Sequence, residues 1–284
     1  MLHKFKLLKE MKRQLGLRTT IESILFHVGL RKQCIINYPG TSLAIKVNKG
    51  PLIFWKSLEK GVWESDLINF IIGLVTPRET ILDVGAWIGP LTFLFSHLVG
   101  KNGRVYAFEP MPESFSLLEH YVASNNVGNV LLYNMAVFNV SNYVTLYSPS
   151  ATSVMATVLK PKNLERQKRV SEYKVQQKCK CVTIDGFCSS QNIRPTGIKV
   201  DVEGSERYVL DGTINTIEKY HPWCLLEFHG DSISESERQR IWSFVTDRAK
   251  KIVYIQGNEV ELTYGMELPF DFQPTERANY CIFF

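Results

Sequence analysis

The chain is expected to fold as an α/β protein, a mixed sheet flanked by helices, with a small helical and hairpin extension on its N-terminal side. Three observations predict this. From residue 81 onward, short apolar runs alternate with amphipathic ones in the order strand, helix, strand, helix, strand. Two of the runs end in an acid beside glycine or proline, Ile81-Leu82-Asp83-Val84-Gly85-Ala86-Trp87-Ile88-Gly89 and Val105-Tyr106-Ala107-Phe108-Glu109-Pro110. The length, 284 residues with 45% hydrophobic content, suffices for one large α/β domain and an appendage. The expected division is 1–60 as a basic accessory layer and 61–284 as the main domain, with an insertion at about 141–180.

At the start, Leu2, Phe5, Leu8, Met11 and Leu15 recur at helical spacing among lysines. Ile35 to Val47 alternates like an antiparallel hairpin, with Tyr38-Pro39-Gly40 as its turn. Val62 to Val75 carries a helical apolar pattern that stops before Thr76-Pro77 and leads into the first parallel strand, so Trp63 and Glu64 are expected near the ligand. Then follow strand 81–85, helix 90–99, strand 104–109, helix 113–124 and a third strand, Val130 to Ala136. Residues 141–183 interrupt the alternation with a β-rich run, Tyr143 to Tyr147, a Ser/Thr/Ala stretch and the charged segment Lys160 to Lys180. Ile198 to Gly204 reads as a fourth strand entering a turn, Glu206 to Lys219 as a helix, and Trp223 to Phe228 as a fifth strand. Asp231 to Arg238 opens another helix, and Ile252 to Gln256, Val260 to Tyr264 and Tyr280 to Phe284 complete the sheet.

Composition narrows the function classes. No run of eighteen apolar residues exists, and the first residues interleave lysine with leucine, so neither a membrane span nor a signal peptide is expected and the reading is cytoplasmic. The six cysteines lack paired C-x-x-C spacing and read as reduced. Residues 1–33 hold eight Lys or Arg against two acids, whereas the whole chain is +5, so the remainder is close to neutral. The basic amphipathic start suits contact with an anionic membrane surface or an acidic partner, or packing on its own domain with a solvated basic face.

In open α/β sheets the ligand lies outside the carboxyl ends of the strands. Glycines at 85 and 89 allow a tight turn and close backbone approach. Glu109, 26 residues after Asp83, sits where a strand-end acid accepts ribose hydroxyls. The spacing Asp83-x-Gly85-x-x-x-Gly89 departs from the dinucleotide fingerprint and puts an acid before the first glycine. That acid would repel a pyrophosphate and attract the ammonium of an amino-acid moiety such as that of S-adenosylmethionine (SAM). The expected cofactor side is Glu64, Asp83, Gly85, Ala86, Trp87, Gly89, Glu109, Pro110, Ala136 and Asp201.

Four successive strands end in acids, and unpartnered buried carboxylates are costly, so convergence implies a cation, a hydroxyl-rich ligand, a metal or proton transfer. Asp201, Glu203, Glu227 and His229 are left for the substrate side as candidate catalytic residues, His229 being favoured as base on the ordinary imidazole pKa. Glu203 either bonds the substrate or caps the following helix, and Glu206 reads as an acid complementing the helix dipole. No metal site is assigned. Asp201 and Glu227 offer hard oxygen ligands suited to Mg²⁺, a variant that is not favoured.

These motifs, with Thr183-Ile184-Asp185 and above all Ile198-Lys199-Val200-Asp201-Val202-Glu203-Gly204-Ser205-Glu206 followed by Val209-Leu210 and Gly212, resemble the FkbM-type SAM-dependent O-methyltransferases over about residues 62–230. The resemblance implies a class I SAM-methyltransferase (Rossmann-like) fold and SAM held by Asp83, Gly85, Gly89 and Glu109. It also implies transfer to a hydroxyl of a sugar, polyketide or glycolipid acceptor. Trp87 departs from the family, which usually has Asn there. Two other readings stand beside this one. A nucleic-acid methyltransferase would use the basic start, although the Asn-Pro-Pro-Tyr-type and Pro-Cys signatures are missing. A non-catalytic binding module would keep the fold alone. Oligomeric state is not legible.

Overall fold

A computed structural model describes residues 19–26, 28–29, 32–148, 157–158, 175–255, 260–263 and 277–284. The helix expected over residues 2–15, and most of the Ser/Thr/Ala and charged stretches between 148 and 180, lie outside them. The chain forms two compact units, Met1–Val75 with Glu119–Val127, and Thr76–Leu118 with Gly128–Phe284.

In the first unit, residues 19–26 form helix α1. Strands β1 (Cys34–Asn37) and β2 (Ala44–Val47) pair antiparallel from Cys34↔Val47 to Asn37↔Ala44, as the alternation predicts. Two helices follow, α2 (Leu52–Glu59) and α3 (Ser65–Leu74), the first in a stretch to which the sequence reading assigned no element. Trp55 on α2 is fully buried, and its Nε1–H donates to the Tyr121 hydroxyl, which in turn donates to the Lys49 carbonyl at 2.5 Å. Asn125 accepts the Lys46 N–H and returns a hydrogen bond to the Lys46 carbonyl, which ties residues 119–127 to the hairpin.

The second unit is built on an eight-stranded sheet of order β12-β11-β13-β10-β9-β3-β4-β5. Its strands are β3 (Thr80–Val84), β4 (Arg104–Phe108), β5 (Val130–Tyr133), β9 (Gly197–Val200), β10 (Trp223–His229), β11 (Lys251–Tyr254), β12 (Val260–Thr263) and β13 (Arg277–Phe283). From β5 to β10 all pairs are parallel, joined through helices α4 (Pro90–Val99), α5 (Pro112–Ser124), α6 (Ile184–Gln191), α7 (Glu206–Asp211) and α8 (Ile214–Tyr220). Every residue of β9 and β10 is buried, as a parallel sheet covered on both faces requires. β13 runs antiparallel to both neighbours, inserted between β10 and β11, and α9 (Glu235–Thr246) starts in a capping box of Ser234 and Glu237.

Two expected elements are corrected. The third strand does not run through Ala136. It stops at Tyr133, where Asn134 donates to the carbonyls of Glu109 and Pro110 and Met135 N–H turns back to Tyr133. Ala136–Val137 is a separate strand, β6, which pairs with β8 (Val175–Val182). With β7 (Asn142–Ser148) these make a second, three-stranded sheet. The helix expected over 206–219 is two helices, because Gly212 and Thr213 separate α7 from α8. All six cysteines are buried free thiols. No helix among the described residues is long and apolar enough to cross a membrane.

Candidate active site

Parallel pairing places the carboxyl ends of β4, β3, β9 and β10 side by side in that order. Asp83 and Gly85 close β3, Glu109 follows β4, Asp201 to Glu203 follow β9, and Glu227 and His229 end β10. The reversed β13 adds Arg277, directly opposite His229 in register.

Residues 85–89 form a turn in which Gly85, Trp87 and Gly89 all have positive φ, 81°, 51° and 93°. A Cβ on Gly85 would lie 1.8 Å from the Asp201 carbonyl oxygen, and one on Gly89 would strike Leu118, so neither position admits a side chain without displacement. Trp87 thus holds a left-handed backbone, a region that Asn tolerates better than Trp does. The turn is pinned from β4: the N–H groups of Gly85 and Ala86 donate to the Phe108 carbonyl. Trp87 N–H donates to one Glu109 carboxylate oxygen and Met111 N–H to the other, both at 2.8 Å. Burial pushes Glu109 up to about 7 against these two donors, which favour its ionised form.

Asp83 is fully buried and faces inward. Thr92 donates to its Oδ2 at 2.5 Å, and the Lys199 ammonium lies 3.2 Å from its Oδ1. Lys199, itself 5% exposed, also donates to the Gly85 carbonyl at 2.7 Å and lies 3.8 Å from Asp201. Burial disfavours its charge, but Asp83, Asp201 and Glu227 outweigh this and hold the ammonium above its usual pKa. One buried cation thus braces the glycine turn against β9.

Around His229 the acids converge. Its Nδ1 is 2.7 Å from Glu206 Oε1, which also accepts the Gly204 N–H at 2.9 Å. Its Nε2 makes no hydrogen bond and lies 3.6 Å from Glu203, 3.7 Å from Asp201 and 3.9 Å from Glu227. Burial and Arg277 oppose the imidazolium, but Glu203 and Glu206 prevail, and the ring is pushed up to about 9. The ordinary imidazole pKa does not apply here. Asp201 is held well below the usual range, since Lys199, His229 and Arg277 overcome its burial. Arg277 pairs closely with Glu227 and stands 3.8 Å from Glu203. Glu203 occupies a left-handed backbone position, φ 52°, a strained state for a non-glycine residue and of the kind that clusters at functional sites.

Of the residues singled out from sequence, Asp83, Gly85, Ala86, Trp87, Gly89, Glu109, Asp201, Glu203, Glu227 and His229 come together at these strand ends. Pro110 follows Glu109, its carbonyl accepting from Asn134. Ala136 is drawn into β6, paired with Cys181. Glu64 belongs to the first unit, in left-handed backbone just before α3. Sequence reasoning missed Lys199 and Arg277 and gave Glu206 only a helix-dipole role. The signal for Lys199 was a lysine inside a strand of otherwise apolar residues. Asp201, Glu227 and His229 each present a ligand atom within 4.8 Å of the others, a spacing a metal ion could use.

The Methyltransferase FkbM domain matches residues 83–252. No curated protein matches. Among solved structures, the chain is similar to an FkbM methyltransferase from Methylobacillus flagellatus KT at 14% identity and a TM-score of 0.43, covering 82% of this chain and 54% of that one. It is also similar to an rRNA methylase from Streptococcus thermophilus (9% identity, TM-score 0.42, 76% and 93% coverage). A third is a SAM-dependent O-methyltransferase from Thermotoga maritima (11%, 0.40, 88% and 77%). The family match spans the glycine turn, Glu109 and the whole Asp201–His229 cluster, and on it the chain belongs to the FkbM family of SAM-dependent methyltransferases, here with a mixed α/β fold.

Proposed function

We propose that the chain transfers a methyl group from SAM to a hydroxyl of a sugar, glycolipid, polysaccharide or polyketide-type acceptor. The observation that carries this is the contiguity of the two halves of the site. Gly85 packs against the Asp201 carbonyl, so the glycine turn adjoins a cluster of carboxylates around His229 that is able to take a proton. The residues suit SAM: Glu109 is a carboxylate at a strand end for the ribose hydroxyls, and the turn offers bare backbone at Gly85 and Gly89. When bound, SAM supplies a methyl group already activated on a sulfonium.

The protein must then align the acceptor oxygen and receive its proton. In this reading the proton passes to Glu203, which is more exposed than His229 or Glu227. His229, charged and held through Nδ1 by Glu206, directs its unbonded Nε2 at the same place and helps hold Asp201 ionised. Arg277 holds Glu227, and Lys199 holds Asp83 and the turn. Asp83 thereby acts on the cofactor through the frame and not by direct contact. Residues 61–284 carry the chemistry, with 141–180 shaping the acceptor side.

The test is transfer of a labelled methyl group from SAM to a panel of glycans, glycolipids and polyols, with nucleic acids alongside. Labelling of a hydroxyl acceptor that fails in Glu203→Ala supports the proposal; labelling of RNA or DNA alone overturns it. The 4.8 Å cluster of Asp201, Glu227 and His229 favours one second reading, in which a divalent ion activates the hydroxyl. Activity that is abolished by EDTA and restored by Mg²⁺ would select it.

A further inference from the structure

We propose that the outward side chains of helix α1, with Val28 and Ile35, form a docking face for an anionic lipid surface. Helix α1 is amphipathic in the reverse sense for a helix packed on its own domain. Its buried residues are Thr19, Ser23 and Phe26, and the Lys60 ammonium donates to the Thr19 hydroxyl at 3.2 Å. Its outward residues are Ile21, Ile24 and Leu25, Ile24 being 57% exposed. Val28, 62% exposed, prolongs the row, because its N–H donates to the Ile24 carbonyl at 3.0 Å as in a helix. Positions 21, 24, 25 and 28 have the spacing of a single helical face. Ile35 on β1 also faces outward.

Among the described residues, five of the eight exposed large apolar side chains fall between Ile21 and Ile35. Single exposed aliphatic residues are ordinary on a protein surface, whereas a concentrated set marks a surface that something covers. Charge identifies the occupant. Residues 1–33 carry eight Lys or Arg against two acids, while the rest of the chain is near neutral. A second copy would cover the aliphatic row but would bring two strongly basic segments together. RNA would answer the charge and leave the row exposed. An anionic lipid surface meets both: aliphatic side chains enter the boundary between headgroups and acyl chains, and lysine and arginine are drawn to the lipid phosphates.

Vesicle co-sedimentation of the full chain tests this, with neutral phosphatidylcholine vesicles compared with vesicles containing phosphatidylglycerol. The expected result is binding to the anionic vesicles only, weakened by salt and reduced about tenfold in Ile24→Glu and Val28→Glu, the order expected for losing one buried aliphatic side chain. Unchanged melting temperatures show that the variants remain folded. Failure to bind anionic vesicles overturns the proposal. So does equal binding by the Glu variants, which reveals a purely ionic contact, or a dimer in light scattering that Ile24→Glu converts to monomer.

Discussion

Replacing Lys199 by Met removes a cation that is 5% exposed and leaves its partner, Asp83, fully buried with its Oδ1 3.2 Å from where the ammonium stood. The same change strips the Gly85 carbonyl of its donor and weakens the hold on Asp201. Removing one partner of a buried ion pair costs about 3–5 kcal/mol, because the remaining charge has neither water nor a counter-ion. In a unit of this size about 1 kcal/mol moves the melting temperature by roughly 2–4 °C, so the loss is about 6–20 °C. Thermal and urea unfolding measure it. Asp83→Asn in the same background removes the stranded charge, and the double variant should be more stable than the sum of the singles by about 0.5–3 kcal/mol. A Lys199→Met cost below about 1 kcal/mol, or strict additivity, would refute the ion pair as the brace of the glycine turn.

Other consequences follow from the same geometry. Since burial raises Glu109 to about 7 and its ionised form is the better acceptor for ribose hydroxyls, SAM affinity should fall as pH drops through that value. Titration calorimetry should find it about tenfold weaker at pH 6 than at pH 8, and Glu109→Gln should flatten the profile. Glu203→Ala should lower kcat by about 10²–10⁴ while leaving SAM binding intact; a comparable loss of SAM affinity would move Glu203 out of the proton-accepting role. Gly197→Ala puts a Cβ 2.0 Å from the Trp223 indole, and the overpacking should cost about 1–3 kcal/mol in urea unfolding. Trp223→Phe in that background should recover part of the loss, and no recovery would mean the strain lies elsewhere.

What was legible in the sequence is local. Apolar runs bounded by glycine, proline or acid located β3, β4, β9 and β10, because a strand buried on both faces needs continuous apolar residues and its end needs a turn. The acids at those ends followed, since parallel strands bring their carboxyl ends to one side of the sheet. Pairings across long separations were not legible. Nothing near Arg277 indicates that β13 runs backwards between β10 and β11 and sets the guanidinium opposite His229. Glu206 looked like an ordinary first-turn acid, and only the folded chain brings it to the His229 ring 23 residues away. The break at Asn134 was hidden because its amide satisfies two carbonyls of a different loop, a bond that local propensity does not encode.

The proposed SAM site is formed by the glycine turn and Glu109. Isothermal titration of the folded chain with SAM and S-adenosylhomocysteine, beside Glu109→Ala, tests it most directly. Both ligands are expected to bind with about micromolar Kd, weakened at least about tenfold in the variant, as follows when a carboxylate that accepts two ribose hydroxyls is removed. Absence of binding by the folded chain, or full affinity in Glu109→Ala, would contradict it.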